Sequence, residues 1–141
     1  MKQMWGKGTP WKTESTFWGW VRGGLRRAVW MKHPTKLNHL KEHRFKSPLG
    51  RGGQEVWACI CVVCKETKRQ SECQVDHKIP AGSLSKPEDI QGFVERLAFV
   101  SDDEIQIVCK PCHGILTYSE RYDVSFEAAK KRKAEIKRKK K

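Results

Sequence analysis

Two sets of side chains in this sequence are suited to chemistry by type and spacing. Cys61-Val62-Val63-Cys64 and Cys109-Lys110-Pro111-Cys112 are two C-x-x-C knuckles. Two such knuckles supply four thiolates, the donor set of a closed tetrahedral zinc site. The stretch between them is longer than in a compact zinc ribbon, so folded chain must lie between the two. Asp76 and His77 sit side by side within it, and His113 directly follows the last cysteine. If the four cysteines close on one zinc, the segments carrying Asp76, His77 and His113 are pinned against each other. A carboxylate plus an imidazole suits a divalent cation such as Mg2+ or Mn2+, and leaves the second imidazole to move protons. The bland alternative is a pair of buried or redox-active C-x-x-C motifs with satisfied structural histidines. It explains each piece singly and leaves their joint occurrence unexplained. Cys59 and Cys73 lie in apolar, strand-like stretches and read as packed thiols.

These residues need elements to position them. Val56 to Val63 alternates and is β-branched enough for a strand entering the first knuckle, and Glu66 to Gln70 reads as a turn. Ser71 to Ile79 returns as a second strand that carries Asp76 and His77. Ser85 and Glu88 form a capping box with Pro87 inside it, ahead of a helix whose Ile90, Phe93, Val94 and Leu97 face a core. Ile105 to Val108 is a short strand that delivers Cys109 and Cys112, and the chain turns helical from His113 onward. Upstream, Phe17, Trp18, Val21, Leu25 and Val29 fall near helical spacing over Thr16 to Lys32, against a local cost at Gly23-Gly24 of about 1 kcal/mol each. Pro34 opens a shorter helix, and Ser47 to Gly53 is a turn-rich linker.

Charge is distributed unevenly around this framework. Of the formal +13, residues 1–55 hold twelve basic and three acidic side chains, 56–129 eight and twelve, and 130–141 nine and one, giving +9, −4 and +8. Basic flanks point to phosphate polyanions, above all DNA or RNA. An acidic centre fits a cation site. Arg22, Arg26, Arg27, Lys32 and Lys36 of the helical lead-in are the candidate phosphate contacts. The tail from Ser125 permits a helix but offers no apolar face, so it is expected to be helical or disordered. No apolar run approaches the roughly 18 residues that span a bilayer, and the first twelve residues lack the apolar stretch of a signal peptide. The expectation is a cytoplasmic protein with no membrane partner and no small-molecule cofactor.

Taken together, CVVC, then VDHKIPAG, then IQIVCKPCHGILTYSE resemble the HNH endonucleases with a ββα-metal fold, in particular the small free-standing enzymes of tailed phages, many of them homing endonucleases. The resemblance covers about residues 56–122, and the front segment, FWGWVRGGLRRAVWMKHPTKLNHL, resembles the arginine-bearing helical lead-in of such enzymes less specifically. It implies that His77 is the general base, Asp76 and His113 the ligands of a catalytic Mg2+ or Mn2+, and Cys61, Cys64, Cys109 and Cys112 the structural zinc ligands. It also implies cleavage of DNA to a 3′-hydroxyl and a 5′-phosphate. Two positions depart from the pattern. Glu104 stands where the family has an Asn that orients the catalytic histidine, and Leu116 replaces a Lys before Thr117. Glu104 could accept from the His77 imidazole, or leave that role to a neighbouring backbone carbonyl.

The expectation is therefore an α+β protein in three segments: a basic Trp/Arg-rich lead-in over 1–55, an HNH core with zinc knuckles over 56–124, and a basic tail over 125–141. Its expected activity is metal-dependent DNA endonuclease, nicking or cutting both strands. The alternatives are a non-catalytic zinc-stabilised nucleic-acid-binding module, and an endonuclease accessory to a phage DNA-packaging assembly.

Overall fold

In the computed structural model, which describes residues 2–141, the first helix starts ahead of its apolar stripe because Thr13 and Thr16 cap one another. The Thr13 hydroxyl accepts from the Thr16 backbone N–H, and the Thr16 hydroxyl accepts from that of Thr13, each at 3.2 Å. Helix α1 (Glu14–Leu25) then runs through Gly23 and widens into a π-helical turn over Arg26–Trp30, where Met31 N–H donates to the Arg26 carbonyl at 3.0 Å. Gly23 leaves the space into which the Arg27 guanidinium folds: a Cβ there would lie 3.1 Å from it. Pro34 opens α2 (Pro34–His43), as its fixed φ favours.

The remaining elements are β1 (Phe45–Ser47), β2 (Val56–Ile60), β3 (Thr67–Arg69), β4 (Cys73–His77), α3 (Ile90–Ala98), β5 (Ile105–Cys109), α4 (Lys110–Tyr122) and α5 (Phe126–Lys139), with short 3-10 turns between several of them. The protein is thus of the α+β class. Strands β1-β2-β3 form one antiparallel sheet, and β4 and β5 form a separate two-stranded sheet. The chain divides into two compact units that do not follow sequence order. One comprises Met1–Glu42 with His77–Gln106, the other His43–Asp76 with Ile107–Lys141.

In the first unit, Trp18, Ala81, Leu84, Phe93 and Leu97 are buried together, with Phe17, Val21, Leu25, Val29 and Trp30 packed against them. Val29 continues the spacing of Val21 and Leu25, and the five-residue step of the π turn adds Trp30 to the same core. Of the four residues expected to be core on α3, Phe93 and Leu97 are fully buried, whereas Ile90 is 42 % exposed. A 3-10 turn over Pro87–Asp89 precedes α3, and Ser85 pairs with Asp89 rather than with Glu88: its N–H and hydroxyl donate to Asp89 Oδ2 at 3.0 and 3.2 Å. The buried His39 of α2 pairs with Asp102 at 2.7 Å, and Arg96 Nε donates to the Ala81 carbonyl at 2.7 Å.

In the second unit, the segment Glu66 to Gln70 is not a simple turn. Thr67–Arg69 is strand β3, paired with β2 in the register Ala58↔Arg69, Cys59↔Lys68, Ile60↔Thr67. The tip of that hairpin is the first knuckle. Helix α5 is fully formed and capped by Ser125, whose hydroxyl accepts from Ala128 N–H at 3.1 Å. It packs beside α4 and buries the small Ala129 completely, a contact that no apolar stripe announces.

Candidate functional site

The second unit gathers the four expected zinc ligands. The Sγ atoms of Cys61, Cys64, Cys109 and Cys112 lie within 4.8 Å of one another, and Cys64 Sγ is 3.9 Å from Cys109 Sγ. All four are free thiols. A tetrahedral ion with metal–sulfur bonds of about 2.3 Å holds its sulfurs about 3.8 Å apart, whereas a disulfide needs about 2.05 Å. The cluster therefore fits a metal ion such as zinc. Local sequence builds it from two directions. At the β2–β3 tip, Lys65 N–H donates to the Cys61 carbonyl at 2.9 Å, which turns the chain tightly enough to put Lys65 in the left-handed region at φ 62°. From the other side, β5 ends at Cys109, and Cys112 lies in the first turn of α4. Val62 N–H donates to the Ile107 carbonyl at 3.0 Å and ties the two together.

Electrostatics within the cluster are uneven. Burial opposes ionisation of Cys61, yet backbone donors at Cys109, Cys64 and Val63 outweigh it and bring that thiol down to about 6. Burial pushes Cys109 and Cys112 up, and Cys112 is pushed further by its sulfur neighbours Cys109 and Cys61. Cys59 and Cys73 stand outside the cluster, as expected of packed thiols. Cys59 is fully buried, and burial pushes Cys73 up to about 11.

One residue beyond Cys112, α4 presents His113, whose Nδ1 donates to Asp76 Oδ2 at 2.8 Å. Both side chains are half-buried. The 2.8 Å separation is that of an ordinary charge-assisted hydrogen bond, and a carboxylate and an imidazole at this distance are also a donor pair that could hold a divalent cation in place of their shared proton. Thr117 and Glu120 follow His113 by four and seven residues on the same helix face. The Thr117 hydroxyl lies 3.5 Å from His113 Nε2. Desolvation and then the negative charge of Asp76 push the Glu120 carboxyl up, with His113 acting the other way. Neither residue was singled out from the sequence, although helical spacing from His113 was a readable signal.

Within the first unit, the contacts of His77 include the Leu97 carbonyl and the Trp30 ring. Its Nε2 is 3.1 Å from the Leu97 carbonyl, and its ring centroid is 3.9 Å from that of Trp30. A carbonyl only accepts, so Nε2 is the donor in that contact. His77 and Glu104 both line a cavity of ≈ 300 Å³ with Ile79, Arg96 and Phe99. The Glu104 carboxylate accepts from the Ser101 hydroxyl at 2.7 Å and Ser101 N–H at 3.0 Å. Those bonds, with a smaller contribution from His77, hold it below the usual carboxylate range. The Glu104 carbonyl accepts from Lys78 N–H at 2.9 Å. Trp30 and Leu97 were not legible as partners of His77, being remote in sequence and, for Leu97, acting through its backbone.

Of the basic lead-in residues, Arg26, Arg27 and Lys32 are exposed, while Arg22 and Lys36 are half-buried. Arg26 reaches over the Phe93 ring at 5.9 Å. Lys36 lies over the Trp30 ring at 5.5 Å, and burial lowers its pKa. Among the described residues no helix is long and apolar enough to cross a membrane. No family model, curated protein or solved structure matches the chain.

Proposed function

We propose that this protein is a metal-dependent DNA endonuclease of the HNH type, built around a ββα-metal core and stabilised by a structural zinc on Cys61, Cys64, Cys109 and Cys112. The observation that carries the reading is the start of α4. That helix delivers Cys112 to the four-thiol cluster and, one residue later, His113 to the Asp76 carboxylate. An ordinary zinc-stabilised fold has no need of the second pairing.

The residues divide the work by their chemistry. Asp76 and His113 would hold the Mg2+ or Mn2+, which supplies Lewis-acid stabilisation of charge on the scissile phosphate and its leaving oxygen. His77 Nδ1 takes a proton from water, the resulting hydroxide forms the new P–O bond, and the P–O3′ bond breaks; the leaving 3′-oxygen takes up a proton from solvent to become the 3′-hydroxyl, and a 5′-phosphate remains. The Leu97 carbonyl fixes the tautomer this needs and stabilises the imidazolium once formed, and Trp30 holds the ring plane. Glu104, in place of the family Asn, braces the turn before β5 through Ser101. Arg26, Arg27 and Lys32, with Arg22 and Lys36 behind them, would contact backbone phosphates.

Supercoiled plasmid incubated with the metal-loaded protein tests this. Nicked or linear product when Mg2+ or Mn2+ is added to the zinc-loaded protein, and none when neither is added, supports it. No cleavage with either cation would leave a non-catalytic zinc-stabilised nucleic-acid-binding module as the better account.

A further inference from the structure

Helices α4 and α5 enclose a groove of ≈ 440 Å³ that the catalytic reading does not use. It is lined by Lys110 at the start of α4, by Lys130, Lys133 and Lys137 along α5 with Lys140 at its C-cap, and by the apolar Ile115. Among the described residues none of the five lysines is ion-paired to a carboxylate. Like charges one helical turn apart repel, so an unrelieved row of this kind costs stability unless an anion lies along it. The spacing is regular: residues three, four and three apart keep one face of α5, and the row from Lys130 to Lys140 runs for about 15 Å. The positive end of the α4 dipole, beside Lys110, adds to the same field. Gly114 makes room for the row, since a Cβ there would lie 2.8 Å from the Lys133 ammonium.

We propose that this groove is a track for the phosphodiester backbone of a nucleic acid. A single phosphate would engage one end of the row. A polymer with a phosphate at each step matches its full length, and the apolar lining accepts the sugar edges between charges. This rests on the nucleic-acid reading above and deepens it: α5 is a folded wall of the binding surface.

The test is equilibrium binding of the full, metal-loaded chain to a random-sequence DNA duplex by fluorescence anisotropy between 50 and 200 mM salt, conditions over which phosphate contacts lose about 10-fold or more in affinity. Lys133→Gln with Lys137→Gln removes two groove charges. Arg132→Gln with Lys139→Gln removes two from the opposite face of α5. The groove pair should lower the slope of log affinity against log salt by about two, at about 0.9 per phosphate contact, and the opposite-face pair should leave it near the parent value. Gly114→Ala keeps every charge and displaces only the flexible end of Lys133, so it should weaken binding several-fold with metal content and melting temperature maintained. It also carries the test if the double variant fails to fold. Equal slopes in the two double variants, with Gly114→Ala indistinguishable from the parent, would overturn the track while leaving DNA binding intact. Retained affinity for inorganic polyphosphate with none for duplex would overturn the nucleic-acid occupant. A parent protein that binds no duplex would remove the nucleic-acid reading itself.

Discussion

Acidification should expel the metal from the four-cysteine cluster over a narrow range, and the steepness follows from the thiols. At pH 7 Cys61, brought down to about 6, is about nine-tenths ionised, so it gives up almost no proton on binding. Cys109 and Cys112 are pushed up by burial and are protonated at that pH in the absence of metal. Only the thiolate is a ligand, so binding must release at least two protons. The sign is then fixed: affinity rises with pH and falls as pH drops. With two protons released, the apparent association constant changes by about 10² per pH unit near neutrality, or about 2.7 kcal/mol. Competition with a chromophoric chelator at pH 6.5, 7.0 and 7.5 measures this directly, and the proton release can be read independently in weakly buffered solution. A change well below about 10²-fold per unit would mean that fewer than two protonated thiols take part, and would refute the four-thiolate site.

Cys61→Ser or Cys112→Ser should give insoluble or unfolded protein, because structural zinc contributes about 10–16 kcal/mol against a typical net stability of about 5–15 kcal/mol; Cys59→Ser and Cys73→Ser should keep one metal per chain by elemental analysis. Lys65→Gly should raise stability by up to about 1 kcal/mol in denaturant titration, since relieving a Cβ at φ 62° is worth about 1–2 kcal/mol and the added freedom of glycine returns part of it. Trp30→Leu keeps an apolar side chain but removes the face under His77, so the cleavage rate should fall roughly 10- to 100-fold with metal content unchanged; a rate equal to the parent would show that Trp30 does not position the base.

What the sequence revealed, and what it hid, has a physical pattern. The four-cysteine cluster was legible because each knuckle is a local turn whose geometry is set by the C-x-x-C spacing itself. The Asp76–His113 pair was legible because the second knuckle fixes where α4 begins. Strand β3 was not: Thr67, Lys68 and Arg69 have no apolar alternation, and they are a strand only because β2 supplies the pairing partners. Helix α5 was half legible. Its capping serine and helix-forming residues could be read, but it packs through Ala129, whose burial leaves no hydrophobic stripe. Ile90 shares the helical phase of Phe93 and Leu97 but is the first residue of α3, and it is 42 % exposed where they are buried. The partners of His77 were out of reach. A backbone carbonyl carries no signal in residue type, and Trp30 arrives by a π turn that a 3.6-residue period does not describe.

The central claim is that His77 is a base in a metal-dependent cleavage reaction, and plasmid cleavage by His77→Gln tests it most directly. The glutamine amide can still donate to the Leu97 carbonyl, but it cannot take a proton from water at neutral pH. Zinc content, circular dichroism and duplex affinity should match the parent, while the rate with saturating Mg2+ falls by about 10²–10⁴, the usual contribution of a general base. Asp76→Ala and His113→Ala, measured alongside, should also lose cleavage and recover part of it with excess Mn2+. Cleavage by folded, zinc-loaded His77→Gln at the parent rate would contradict the account.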